Sequence, residues 1–225
     1  MDGVVIVTGA SRGIGLATAV ELARRGLKVV LCSRDAVQAE AAAKTVGNGA
    51  IGVAADVSRP EECGKLFDIA EQRFGRVDFL VNNAGTGRAG KLAEAADAEI
   101  RDTVATNLEG VIYCCREAAR RMNAGAIVNV SSFYGSHAPA GVSVYAATKH
   151  AVNALSKSLS QELYPCVKVF VVSPAAVDTR LLREGFGGSG RAQPPERIAE
   201  IIAGLLEKWR ETDSGTFIDV WKLPG

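Results

Sequence analysis

Two histidines, His137 and His150, and five scattered cysteines are all that the 225 residues offer to soft metals. No two cysteines form a Cys-x-x-Cys pair, so the sequence predicts neither structural disulfides nor a zinc site. We expect His150, which directly follows Lys149, to lie on a helix surface. Unpaired cysteines are typical of a reducing compartment, and we therefore expect a cytoplasmic protein without a bound metal.

An excess of charge and a long apolar run are also missing. The 26 basic and 25 acidic residues nearly cancel, which argues against nucleic acid as a partner. No stretch reaches the roughly 18 apolar residues of a membrane helix, so no membrane partner is expected. The first eleven residues have no basic segment before their short apolar run, and they predict a strand instead of a signal peptide.

Short β-branched runs that alternate with helix-length amphipathic segments fill the chain, with no linker or repeat between them. Strands are predicted at residues 4–7, 28–32, 50–54, 79–81, 126–130, 167–172 and 216–220. Helices are predicted at residues 14–25, 36–45, 60–74, 97–122, 144–163 and 195–209. This alternation predicts a single domain, residues 1–225, with an α/β, doubly wound, Rossmann-like parallel sheet of about seven strands and helices on both faces.

The segment TGASRGIG, residues 8–15, stands between the first strand and the first helix. Glycine permits a tight turn there and lets the backbone approach a pyrophosphate, while the N-terminus of the helix attracts anions. A glycine-rich string is weak evidence by itself, but its position after the first strand is typical of a dinucleotide site. The predicted contacts are Gly9, Ser11, Arg12, Gly13, Ile14 and Gly15.

The end of the second strand bears on the choice of cofactor. Ser33 stands where an acid that binds the ribose of NAD would end the strand, and Arg34 follows it. Arg34 and Arg12 could hold a 2′-phosphate through forked, charge-assisted bonds. Asp35 is evidence in the other direction, because it could still bind a ribose. We favour NADP(H) over NAD(H).

Tyr145 and Lys149 lie four residues apart in a predicted helix, and Ser132 precedes the tyrosine by thirteen residues. Residues at i and i+4 share a helix face. An ammonium beside a phenol favours the phenolate, so we expect Lys149 to lower the pKa of Tyr145 toward useful acid–base chemistry. By spacing alone, an ordinary amphipathic helix is the more common explanation of the pair, and the other motifs in the sequence decide the question.

With these motifs the chain resembles a short-chain dehydrogenase/reductase of the small single-domain kind. The resemblance runs from the first strand to about Val220. Besides the glycine loop and the Tyr-x-x-x-Lys pair, it rests on Asp56 and Val57, Asn82-Asn83-Ala84-Gly85, Asn107, Ser132, and Pro174 with Val177 and Thr179.

The resemblance implies a role for each of four residues. Tyr145 would exchange a proton with the substrate oxygen, and Lys149 would tune it and bind the nicotinamide ribose. Ser132 would orient the substrate oxygen; its neighbour Ser131 is the rival, but the family's spacing to the tyrosine selects Ser132. Asn107 would connect Lys149 to solvent. Hydride would pass between the nicotinamide and a carbonyl or alcohol carbon.

The same resemblance implies further cofactor contacts from Asp56, Val57, Asn83, Ala84, Gly85, Pro174, Val177 and Thr179, and from Tyr145 and Lys149. For Asn82 and Asn83, a structural role in the loop is an equally open interpretation. The family's Pro-Gly is Pro174-Ala175 here, so we expect a local change in the turn and a cofactor contact that survives.

Substrate features are less defined. Residues 183–195, rich in glycine, are interpreted as a mobile substrate loop or a plain surface loop, and Phe133, Tyr134 and His137 line the pocket or pack the loop. The chain ends at Gly225 without the glycine-rich tail of tetrameric relatives, so a homodimer is expected. The leading function is an NADP(H)-dependent carbonyl reductase acting on a small molecule. Alternatives are an NAD(H)-dependent alcohol dehydrogenase, a non-catalytic nucleotide-binding regulator, and an epimerase or dehydratase.

Overall fold

A computed structural model describes residues 1–188 and 192–223, and within them one parallel sheet carries the fold. The strand order is β3-β2-β1-β4-β5-β6-β7, which confirms the predicted doubly wound α/β architecture. The strands are β1 Val4–Val7, β2 Lys28–Ser33, β3 Ile51–Ala54, β4 Phe79–Asn82, β5 Gly125–Val130, β6 Val167–Ser173 and β7 Phe217–Asp219.

Helices cover both faces of the sheet, because every parallel crossover must return the chain across it. They are α1 Gly13–Arg24, α2 Ala36–Val46, α3 Pro60–Phe74, α4 Asp97–Val104, α5 Gly110–Arg121, α6 Ser143–Glu162 and α7 Pro195–Glu207. Helices α1, α2 and α7 pack on one face, and α3, α5 and α6 pack on the other.

The first strand shows why this sequence forms a sheet that is covered by helices on both faces. All four of its residues are buried, with Val5 and Val7 in one apolar cluster and Val4 and Ile6 in the other. A strand that is apolar on both faces is stable only where helices cover both faces. The register pairs Val7 with a residue of β2 and one of β4, so three strands end at the same edge.

The helix predicted at residues 97–122 is present from Asp97 to Arg121, but it contains a π-helical turn that the sequence did not predict. Helix α4 ends at Val104, a π-helical turn covers Ala105–Glu109, and α5 begins at Gly110. A π turn inserts one residue into the helical ladder, and such turns are frequent at functional sites. Here the inserted turn contains Asn107, whose contacts are described below.

Parts of the sequence predictions fall outside the described residues. Of the predicted mobile loop, Ser189, Gly190 and Arg191 lie outside them, as do Pro224 and Gly225 at the end of the chain. Among the helices that the structure describes, none is long and apolar enough to cross a membrane. All five cysteines are free thiols, and the Sγ atoms of Cys63 and Cys114 lie 3.6 Å apart in the core.

Candidate active site

A cleft of about 590 Å³ opens at the carboxyl edge of the sheet, above the point where the strand order reverses between β1 and β4. Ligands of open α/β sheets bind at such a switch point. The cleft brings together the predicted site residues Gly9, Ser11, Arg12, Gly13, Ile14, Ser33, Arg34, Asp56, Val57, Asn83, Ala84, Gly85, Ser132, Tyr145, Lys149, Pro174, Val177 and Thr179. Two others, Gly15 and Asn107, are buried beneath its walls.

The glycine-rich turn is held against β4 by close backbone contacts. Gly9 has φ of 62°, and a Cβ there would lie 2.6 Å from the Cα of Ala84. The amide of Asn83 donates to the carbonyls of Thr8 and Gly9 at 3.0 Å each, so it fixes the shape of the turn. Gly15 packs beneath the turn against Asn83 and leaves no room for a side chain.

The first turn of α1 has the donors that an anion requires. Arg12 is the N-cap, and its side chain makes no capping hydrogen bond. The first N–H groups of a helix have no partner within the helix, and its dipole adds positive potential there. Together with the bare backbone at Gly9 and Gly13, these donors fit the pyrophosphate of a dinucleotide.

At the end of the cleft formed by β2 and β3, the carboxylate of Asp35 binds to its own helix. Its Oδ1 accepts from the backbone N–H groups of Val37 and Gln38 at 2.8 and 3.1 Å, and its Oδ2 accepts from the Gln38 side chain at 3.1 Å. The bond from the Gln38 backbone holds the pKa of Asp35 below its usual value. Arg34 is exposed beside it, 3.5 Å from Asp102 of α4.

Asp56 and Val57 follow β3 on the same side of the cleft. The Oδ1 of Asp56 accepts from the backbone and the hydroxyl of Ser58 at 3.0 and 2.8 Å, so the loop around it is ordered by its own carboxylate. The Val57 side chain is buried against Gly110, where a Cβ would lie 2.8 Å from its Cγ2. These contacts hold Asp56 and Val57 in place at the end of the cleft next to β3.

Tyr145 and Lys149 lie on the face of α6 that meets the sheet, where they are 8% and 5% exposed. The Nζ of Lys149 donates to the carbonyl of Val130 at 2.9 Å and lies 5.8 Å from the centre of the Tyr145 ring. Burial lowers the pKa of Lys149 to about 8.

The predicted lowering of the Tyr145 pKa by Lys149 is wrong for this structure. Burial raises the pKa of Tyr145 to about 12, and the side chain of Ser132 acts in the opposite direction. Burial penalises the phenolate, and Lys149, 5.8 Å from the centre of the ring, is not among the groups that shift the pKa of Tyr145. Tyr145 is therefore a protonated phenol at neutral pH.

The two serines after β5 differ in their contacts. Ser132 accepts from the backbone N–H of Tyr134 at 3.2 Å and influences the Tyr145 phenol. The hydroxyl of Ser131 donates to the backbone carbonyl of Lys149 at 3.4 Å. Both line the cleft, but Ser132 is the one that interacts with the phenol.

Asn107 is fully buried in the π turn and braces the loop that follows β4. Its Oδ1 accepts from the N–H of Thr86 at 2.8 Å, and its Nδ2 donates to the Thr86 carbonyl at 2.7 Å and to the Thr148 hydroxyl at 3.3 Å. These three bonds occupy the side chain and tie the turn to the loop and to α6. A Cβ on Gly85 would lie 3.4 Å from Asn107 Oδ1 and 3.9 Å from Lys149 Nζ.

Thr179 closes the cleft opposite the glycine-rich turn. A Cβ on Gly13 would lie 3.2 Å from its Cγ2, and its hydroxyl accepts from Leu182 N at 3.2 Å. Pro174 accepts from the N–H of Phe133 at 2.7 Å, and Val177 is buried. Pro174, Ala175 and Val177 therefore all line the cleft, although alanine replaces the glycine that the family has after the proline.

Aromatic side chains surround the exposed edge of Tyr145. Phe133 and Tyr134 line the cleft, whereas His137 lies outside it and stacks on Phe133 with ring centres 3.9 Å apart. Sequence reasoning missed Phe186, which lies 5.0 Å from the Tyr145 ring. No motif marks it; its only signal was its place after the sixth strand, within the glycine-rich segment. Thr86 and Leu182 also line the cleft without having been predicted.

Comparison with known proteins decides the family. The family model described as short chain dehydrogenase matches residues 3–187, most of the chain. The chain belongs to the short-chain dehydrogenase family. Carbonyl reductase family member 4 of Xenopus tropicalis is 37% identical over 218 residues, which cover 92% of each chain. The human 3-oxoacyl-[acyl-carrier-protein] reductase is 36% identical over 188 residues, or 82% of this chain and 79% of that protein.

A solved structure agrees with this assignment. The 3-ketoacyl-(acyl-carrier-protein) reductase from Brucella melitensis, complexed with NADH, superposes with a TM-score of 0.92 at 31% identity, and the match covers 97% of this chain and 96% of that one. This short-chain dehydrogenase is thus an oxidoreductase with the nucleotide-binding fold of its family.

Proposed function

We propose that this short-chain dehydrogenase is an NADP(H)-dependent carbonyl reductase in which Tyr145 is the acid–base residue. The observation that supports this most is the placement of Tyr145, Lys149 and Ser132 at one end of a single cleft. Its other end is formed by the uncapped first turn of α1 and by Arg34. A substrate oxygen and a dinucleotide can therefore be held side by side.

The chain's own groups handle the proton. A Tyr145 pKa of about 12 keeps the phenol protonated at neutral pH, so it is ready to donate to a carbonyl oxygen. Ser132 holds the same oxygen, and Lys149 binds the ribose of the nicotinamide. When bound, the nicotinamide supplies the hydride that forms the new C–H bond of the alcohol.

The preference for NADP(H) is supported by the state of Asp35. A carboxylate that caps α2 with both of its oxygens engaged is poorly placed to bind ribose hydroxyls. Arg34 is exposed in the cleft and weakly paired with Asp102, so its guanidinium can turn to a 2′-phosphate. The solved relative was crystallised with NADH, which makes NAD(H) the competing assignment.

An assay that follows the consumption of cofactor tests the reaction. Purified protein is mixed with NADPH or NADH and a panel of ketones and aldehydes, and the loss of reduced cofactor is followed. We expect steady turnover with NADPH, and a kcat at least about 100-fold lower for Tyr145→Phe, since that is the minimum usual contribution of a positioned acid. Wild-type rates in Tyr145→Phe would contradict the mechanism. Binding of cofactor without turnover of any carbonyl would favour a regulatory role.

We also propose that the protein is a homodimer that acts on a small molecule. An apolar groove between α4, the π turn and α6 is lined by Leu92, Val104, Leu108, Val144 and Ala147, together with two hydroxyl side chains. Two copies related by a two-fold axis would cover this surface with the same surface of the partner. A cytoplasmic location accords with the five free thiols.

A further inference from the structure

Three aromatic rings meet at the substrate end of the cleft. The ring centres of Phe186 and Tyr145 lie 5.0 Å apart, those of Tyr134 and Phe186 lie 6.0 Å apart, and those of Tyr134 and Tyr145 lie 6.2 Å apart. Phe186 and Tyr134 are close to parallel, with 26° between their planes, and both stand at steep angles to Tyr145. We call Phe186 and Tyr134 the aromatic wall.

Backbone contacts bring Phe186 to this position. It follows a π turn, Leu181–Gly185, and the carbonyl of Gly185 accepts from Ala89 N at 2.7 Å. A Cβ on Gly185 would collide with the Gly87 carbonyl, and one on Gly87 would collide with the Tyr145 ring. Glycine at both positions therefore allows the loop to approach Tyr145 closely enough for Phe186 to contact it.

Among the residues that the structure describes, three arginines near this end of the cleft are paired with carboxylates. Arg180 contacts Glu184 at 2.6 Å, Arg88 contacts Glu99 at 2.9 Å, and Arg183 contacts Asp178. Each pair contributes one carboxylate for each guanidinium, so these pairs leave no net positive charge around the aromatic wall. The surroundings of the aromatic wall thus fit a neutral substrate better than one carried on an acidic partner.

We propose that Phe186 is a specificity-determining residue that selects carbonyls borne directly on a flat, apolar ring. This inference rests on the proposed carbonyl reductase function. Offset and edge-to-face contacts of a substrate ring with Phe186 and Tyr134 place its carbonyl beside the Tyr145 phenol. An open-chain 3-oxoacyl thioester offers its carbonyl without such a face, so it gains less from the aromatic wall.

The test compares substrates and variants at one position. Values of kcat/KM are measured with NADPH for phenyl methyl ketone, an open-chain methyl ketone of similar size, and a 3-oxoacyl N-acetylcysteamine thioester. The variants are Phe186→Tyr, which keeps a flat face, and Phe186→Leu, which keeps apolar bulk. Phe217→Ala is the matched control, because Phe217 is exposed on the edge strand β7.

We expect the wild type to favour the aryl ketone over both open-chain substrates. Phe186→Leu should lower the ratio of aryl to open-chain kcat/KM by about two- to tenfold, the range expected for loss of one aromatic pair. Phe186→Tyr and Phe217→Ala should keep the wild-type ratio, and the Kd for NADPH should be unchanged in all variants.

Two failures are distinguishable. Preference for the thioester, or an unchanged ratio in Phe186→Leu, would overturn the inference and leave the carbonyl reductase function intact. Failure to reduce any carbonyl would overturn the proposed function and the inference with it.

Discussion

Arg34 is the residue on which the choice of cofactor depends. Its partner Asp102 is exposed and 3.5 Å away, and such pairs contribute little, so the guanidinium is easily diverted to a stronger anion. Asp35, which the sequence left open as a ribose ligand, accepts hydrogen bonds from the first turn of α2 instead. An acid at the position of Ser33 would bind a ribose, whereas Asp35, two residues later, caps α2.

Arg34→Ala is expected to raise the Kd for NADPH roughly ten- to hundredfold, the range expected when a hydrogen bond to a charged group is lost. The Kd for NADH should change little, since it has no 2′-phosphate. Both are measured by quenching of protein fluorescence. Lys44→Ala is the control, because Lys44 is an exposed, paired cation on α2. Equal losses for the two cofactors would rule out the assignment.

Burial of Lys149 has a consequence for stability. Its pKa is about 8 in the folded protein, below the unfolded value of about 10.4, so the unfolded state binds more protons between these two pH values. Burial of the charged lysine lowers the free energy of unfolding by its full amount below pH 8, and by less as the pH rises and the lysine loses its proton. Relative to Lys149→Met, the free energy of unfolding of the wild type should therefore increase by roughly 2–3 kcal/mol from pH 8 to 10.

Chemical denaturation of both proteins across this range measures the difference. Subtracting the variant cancels the titration of other groups, provided that both unfold in a single transition. A difference that stays flat with pH would show that Lys149 is not buried as a charge.

Some residues of the site could be predicted from the sequence, and others could not. The contacts at Ser132, Tyr145 and Lys149 follow from a motif whose spacing is set by one strand end and one helix. Phe186 carries no motif, and its contact depends on two glycines, Gly87 and Gly185, that are distant in sequence. The pKa of Tyr145 was predicted in the wrong direction because the spacing of the motif does not reveal that the phenol is buried, and burial raises its pKa.

At the scale of elements, α6 is fixed to the sheet by a buried polar chain. Asn82 of β4 donates to Asn129 of β5 at 2.9 Å, and Asn129 donates to the Ser156 hydroxyl at 2.8 Å. Ser156 lies two turns after Lys149 on the same helix. Because a fully satisfied polar network has few alternative arrangements, it sets the register of α6 against the strands.

Ser156→Ala should lower the free energy of unfolding by about 1–3 kcal/mol, because it leaves the buried Asn129 amide without its acceptor. Ser158→Ala, on the exposed side of the same helix, should change it by less than about 0.5 kcal/mol. Urea denaturation compares them. If both variants behaved alike, the network would have no special part in holding α6.

Element bounds were predictable where hydrophobic pattern alone decides them. Strand β1 is as predicted, and β2 extends one residue beyond the prediction, to Ser33. The π turn between α4 and α5 was not predictable, because the sequence Ala105–Glu109 has no feature that separates it from an ordinary helix. It coincides with the bonds that Asn107 makes to Thr86, a contact between segments 21 residues apart.

At the scale of the whole molecule, the two faces of the sheet differ in what lies outside them. The helices α1, α2 and α7 enclose one face and carry scattered apolar residues on their outer surfaces. On the other face, the apolar groove continues toward Ile112, which lies one turn beyond Leu108 and is 38% exposed. We expect a second copy of the chain to cover this groove together with Ile112.

Ile112→Arg should therefore convert a dimer to a monomer, because two-fold symmetry places the new guanidinium in an apolar interface twice, where both copies lose their water and repel each other. Sedimentation velocity at micromolar concentration measures the change. Val37→Arg is the control: Val37 is 77% exposed on α2, on the opposite side of the sheet, and its substitution should leave the dimer intact. Since Ile112 is remote from Tyr145, a monomer that keeps its Kd for NADPH would show that the interface, and not the fold, was lost. A wild type that sediments as a monomer, or an Ile112→Arg variant that remains dimeric, would place the partner surface elsewhere.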